Sequence, residues 1–174
     1  AITFIRREKL FLVLISITWI SMFFGTSYVQ IMPVFAELLG AGEKGYGYLI
    51  SATGVGSVCG TLIIGRFQRS PLLGRYMMGG AVLFALSLLF FAAVTGLLEG
   101  GPMAFYAACG CAILGGIGGS CFLISSMTVL QIAVPDTLRG RVMGIHSITF
   151  SLIALGGFVL GPIAELLSAP TAVP

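Results

Sequence analysis

Apolar residues run through this chain in long blocks that polar residues rarely interrupt. Between Arg75 and Glu99 stand 23 consecutive uncharged residues, "YMMGGAVLFALSLLFFAAVTGLL". A helix apolar on every side is either a core helix of a large protein or a membrane span. One such run fits either reading; this chain repeats it five times. A hydrocarbon layer about 30 Å thick takes about 20 apolar residues in helical form. The pattern predicts spans over 10–34, 46–65, 76–98, 103–129 and 142–167, the last turns of the fourth, through Gln131, emerging before Pro135. The expected fold class is an all-α polytopic membrane protein, with five transmembrane helices forming a single membrane domain over 1–174.

The five runs differ in character. The third is Leu, Phe, Ala and Val nearly all round, with Ser87 its only polar residue before Thr95, as suits a helix mostly surrounded by lipid. In the first, Ser16, Trp19, Phe23, Thr26 and Gln30 recur at steps of three and four, so they share one stripe. Gln30 is costly to expose to lipid, and that stripe therefore faces protein or water. Two readings stay open: hydrogen bonding between helices, or the wall of a substrate cavity. The second run carries Ala52, Gly56 and Gly60 at four-residue spacing; the fourth carries Gly115 and Gly119, with Gly116 and Ser120 beside them; the fifth carries Gly157, Gly161 and Pro162. Small residues so spaced let helix backbones approach closely. Ser120, Ser125 and Ser126 either line a cavity or bond back to their own helix.

Composition fixes the solvent. Charged residues make up only 9% of the 174-residue chain and hydrophobic ones 57%, whereas a soluble domain carries roughly 25% charged residues to hydrate its surface. The four cysteines (Cys59, Cys109, Cys111 and Cys121) all lie within apolar runs and read as small packing residues rather than a disulfide or zinc framework. A net charge of +3 gives no reason to expect nucleic acid as a partner.

The distribution of charge supplies orientation. Arg6, Arg7 and Lys9 precede the first span; Arg66, Arg69 and Arg75 lie between the second and third; Arg139 and Arg141 lie between the fourth and fifth. The opposite side has Lys44 alone, with Glu37, Glu43, Glu99 and Glu165. The positive-inside rule makes the arginine-rich side cytoplasmic. The expected location is the bacterial inner membrane, with the N-terminus in the cytoplasm. The first run is too long for a cleavable signal peptide and four more follow it. The opening "AITFIRREKL" reads as a basic lead-in from preceding spans.

Candidate chemistry is sparse. No acidic residue lies at mid-depth in any expected span, and the sequence has no GxSxG elbow, His-Glu-x-x-His pair or Walker loop. His146, one turn inside the fifth span, reads as an interfacial residue. The expectation is a protein that is not an enzyme, has no cofactor and binds no metal.

The stretches "YVQIMPVFAELLGAGEKGYGYLISATGVGSVCGTLIIGRF" and "QIAVPDTLRGRVMGIHSITFSLIALGGFVLGP" resemble the second half of a major facilitator superfamily transporter. The resemblance covers nearly the whole chain, as spans seven to eleven of twelve, and is nearest the branch of enterobactin exporters and macrolide-efflux permeases. The family's cytoplasmic motif, Gly-x-x-x-Asp followed by basic residues and Gly-Arg, is echoed by Gly65, Arg66, Arg69, Gly74 and Arg75, with Arg69 in the place of the Asp. Arg139, Gly140 and Arg141 fit the second cytoplasmic turn. Gly157, Gly161 and Pro162 match only the core of the antiporter motif.

What the resemblance implies is a partial six-helix half of a bundle whose other, N-terminal half is a missing partner. The first and fourth spans would line the cavity, the second and fifth would meet the other half, and the third would be peripheral. The implied activity is export of a small amphipathic molecule, drug- or siderophore-like, by alternating access. It would be driven by the proton-motive force through residues of the absent half. Cavity candidates are Trp19, Phe23, Thr26, Gln30 and Ser120. Two alternatives stay open: an importer of the same fold, and a non-transporting membrane scaffold.

Overall fold

Lipid offers a backbone no hydrogen-bond partner, so an apolar run that crosses a bilayer must satisfy its own N–H and C=O groups by closing a helix. The computed structural model describes residues 16–21, 28–68, 70–97, 101–137, 140, 142–144 and 147–148, and among the described residues there is no strand. Four helices follow in order: α1 (Tyr28–Leu38), α2 (Gly42–Phe67), α3 (Leu73–Leu97) and α4 (Pro102–Ala133). Residues 16–20 form a further helical stretch. Of these, α2, α3 and α4 are long and apolar enough to cross a membrane. Most of the fifth expected span lies outside the described residues.

The helices do not stop where the apolar runs stop. α2 takes in Glu43, Lys44 and Arg66, and α4 reaches Ala133. Their 26 and 32 residues rise about 39 Å and about 48 Å, more than a hydrocarbon layer of about 30 Å. α1 continues beyond Val34 to Leu38 despite Pro33 in its interior, which removes the hydrogen bond to the Val29 carbonyl.

The chain divides into two compact units, Ala1–Met32 with Asp136–Pro174, and Pro33–Pro135. The second holds α2, α3 and α4 with the end of α1. Within it α4 packs against both α2 and α3, and buries nearly twice the share of its apolar stretch that either of them does. α3 buries a single stripe, Leu73, Met77, Gly80, Ser87 and Phe91. The rest of its circumference carries exposed Met78, Val82, Leu86, Leu89 and Phe90.

Short turns join these helices. After α1, Gly40 N–H donates to the Glu37 carbonyl at 2.9 Å and Ala41 N–H to the Ala36 carbonyl at 2.9 Å. Gly40 and Gly42 sit at φ +69° and +58°, a left-handed backbone that glycine adopts without steric cost. Between α2 and α3, Ser70 N–H donates to the Phe67 carbonyl at 2.9 Å, and Leu72 N–H to Ser70 Oγ at 3.2 Å. α4 opens on Pro102 at its first turn, where a missing N–H costs nothing. Hydroxyls on the helices turn inward on their own backbone: Thr53 donates to Leu49, Thr61 to Ser57, Ser87 to Phe84 and Thr128 to Ile124. That is how a polar side chain is carried in hydrocarbon without a partner helix.

Candidate functional site

The polar stripe of the first expected span is described only in part. Trp19 is half-buried on the 16–20 helical stretch, and its Nε1 is buried without a hydrogen-bond partner among the described residues. Thr18 beside it is fully buried. Gln30 falls within α1, but its side chain lies outside what the structure describes, as do Phe23 and Thr26 altogether. Of this stripe the structure describes only the Ser16 and Trp19 side chains.

The small residues of α2 and α4 do meet. A β-carbon at Gly56 would collide with the Ile113 carbonyl oxygen; at Gly60 it would lie 2.6 Å from the Ile117 carbonyl. From the other side, a β-carbon at Gly116 would strike the Thr53 carbonyl. These contacts advance together along both chains, so α2 and α4 run parallel with their backbones touching. Cys121 Sγ donates to the Gly60 carbonyl at 3.5 Å across the same seam. Ser120 lies at its edge, its Cβ 3.1 Å from the Gly60 β-position. Ala52 is half-buried and Gly115 buried.

A second seam escaped the sequence pattern. A β-carbon at Gly80 of α3 would lie 2.9 Å from the Gly118 carbonyl, and one at Gly118 would lie 2.6 Å from Phe84 N. Gly119 makes only ordinary contact with the Phe84 ring, at 3.5 Å. The available signal was the Gly79–Gly80 pair inside an otherwise bulky run. Ser125 and Ser126 of α4 are buried, and Ser125 Oγ has no partner among the described residues.

The arginine-bearing turn joins α2 to α3. Phe67 and Tyr76 stack there, with ring centroids 4.7 Å apart and planes 25° from parallel. Tyr76 also packs on the buried cluster of Ile64, Leu73 and Cys121. Arg66 and Arg75, with Gly65 and Gly74, are exposed. A β-carbon at either glycine would meet nothing within 4 Å. Gly140 is likewise exposed. Arg69, Arg139, Arg141, Gly157, Gly161 and Pro162 lie outside the described residues.

At the opposite end, Leu39, Gly40, Ala41, Gly101, Pro102, Phe105 and Tyr106 line a cavity of about 250 Å³. That is smaller than the roughly 300–1,000 Å³ of a typical ligand site, and it offers no charged side chain. Tyr48 meets Phe105 edge-on at 6.4 Å beside it. No group of three or more potential metal ligands occurs among the described residues.

Long apolar helices packed backbone to backbone through glycine, with charge held at their ends, define an α-helical membrane protein. The particular family follows from comparison: the chain matches the Major Facilitator Superfamily over residues 1–168 and belongs to it. Membership makes it a secondary transporter in general terms, a class that is not enzymatic. No curated protein and no solved structure matches the chain.

Proposed function

We propose that the chain is the larger part of the C-terminal half of an efflux permease that exports a small amphipathic molecule by alternating access. Such a mechanism places the binding site near the bilayer midplane, between two bundles that rock around it. The observation that carries the reading is family membership over 1–168. The direction rests on the sequence pattern Gly157, Gly161 and Pro162. Under this reading Trp19, Phe23, Thr26, Gln30 and Ser120 contact substrate, and Arg66, Arg69, Arg75, Arg139 and Arg141 lie on the cytoplasmic side of a bacterial inner membrane. The proton-motive force acts through a separate N-terminal six-helix half.

The test is accumulation of labelled amphipathic compounds, catecholate siderophores among them, in cells making the intact protein and in cells lacking it. Export lowers accumulation, and collapsing the proton gradient restores it. Raised accumulation identifies an importer. No change for any compound, together with a membrane protein that co-purifies in fixed ratio, identifies a scaffold.

A further inference from the structure

We propose that the turn between α2 and α3 is a binding site for the phosphodiester headgroup of an anionic phospholipid, held by Arg66 and Arg75. The stacked rings of Phe67 and Tyr76 press the last turn of α2 against the first turn of α3. Arg66 and Arg75 each immediately precede one of those rings, so the pair places two guanidinium groups on adjoining turns at one end of the bundle. Both are exposed. No acidic residue occurs between Glu43 and Glu99. Glu43 lies at the far end of α2, about 35 Å away at 1.5 Å per residue, several times the Debye length of about 8 Å in physiological salt. The hairpin therefore does not neutralise its own charge.

The surroundings choose the anion. Phe67 and Leu72 at the turn are 38% and 43% exposed, and Leu62 and Ile63 one turn below on α2, with Met78 on α3, are also exposed. Cations at the end of a helix pair with an uncovered apolar path beneath them match a molecule carrying a phosphate at one end and acyl chains at the other. A soluble phosphate leaves the apolar path uncovered, and an acidic protein segment does the same. Guanidinium suits the task, because its planar fork pairs with two phosphate oxygens at once. The proposal rests on the turn's lying in a headgroup layer. It is independent of which way transport runs and of which leaflet the turn reaches.

The test is the melting temperature of the intact protein in dodecylmaltoside, titrated with dioleoyl-phosphatidylglycerol. Dioleoyl-phosphatidylcholine is the neutral arm and sodium phosphate the free-anion arm. Phosphatidylglycerol should raise the melting temperature beyond phosphatidylcholine, and the difference should vanish in 500 mM NaCl. Arg66→Gln and Arg75→Gln should each raise the half-effect lipid concentration about fivefold, and the double variant about 25-fold; Lys44→Gln, at the opposite end of α2, should leave it unchanged. Should the double variant not purify, R66K/R75K, which keeps charge and loses the fork, should show a smaller loss in the same direction. Coincident curves for the two lipids would overturn the proposal. So would an equal loss in Lys44→Gln, a full effect from phosphate alone, or variants that destabilise equally in both lipids, which would assign the arginines to a protein contact.

Discussion

Gly54 and Gly56 stand two residues apart on α2, and a methyl group meets different surroundings at each. At Gly56 it collides with the Ile113 carbonyl, which belongs to a helix backbone and cannot step aside; at Gly54 nothing lies within 4 Å. Overpacking a fitted contact costs about 1–3 kcal/mol, whereas alanine in an open helical position matches or improves on glycine. Gly56→Ala should therefore lower the melting temperature of the purified protein in detergent, and Gly54→Ala should leave it unchanged or raise it slightly. Equal losses at the two positions would mean that helix propensity, and not the α2–α4 seam, sets the sensitivity.

On the scale of a helix, α3 shows what an apolar sequence conceals. Phe90 and Phe91 are chemically identical neighbours, yet Phe91 is 3% exposed and Phe90 62%. Phe91 meets the Phe35 ring edge-on at 5.3 Å. In water, cutting a buried Phe to Ala costs about 3–5 kcal/mol. In a bilayer lipid is as apolar as the protein interior, so the transfer part drops out and packing remains. Phe91→Ala should thus cost about 1–2 kcal/mol in unfolding by sodium dodecyl sulfate titration, and Phe90→Ala close to nothing. A large loss at Phe90 would show that its face is covered by protein. That α3 is a helix could be read directly, because 23 uncharged residues leave few other structures. Which stripe it buries could not, because lipid and protein both accept Leu and Phe and the sequence has no polar face to mark the difference. The Gly80–Gly118 seam was hidden for that reason. The stacking of Phe67 on Tyr76 was hidden for another: it depends on the path of the turn between them. The four-residue spacing of Gly56 and Gly60 is visible in sequence, but the helix they touch is not.

Taken as a whole unit, residues 33–135 separate charge by end. Because α2 and α4 run parallel and α3 runs against them, the turn after α1 and the start of α4 share one end, where Glu43 and Lys44 are exposed; the α2–α3 turn, with Arg66 and Arg75, lies at the other. The length of α2 holds the two ends apart, and the positive-inside rule predicts that the arginine-bearing end faces the cytoplasm. Gln68 and Glu43 are exposed at the two ends, and neither has the positive φ that would make cysteine at Gly42 strained. With the intact protein in membrane vesicles, an impermeant maleimide should label Gln68→Cys in everted vesicles and Glu43→Cys in right-side-out ones, measured against the unsubstituted protein. Reversal of both would invert the orientation while keeping the packing of α2, α3 and α4. Labelling of both from the same side would contradict the packing itself, because α2 alone, with 26 residues rising about 39 Å, separates the two positions by more than the hydrocarbon layer.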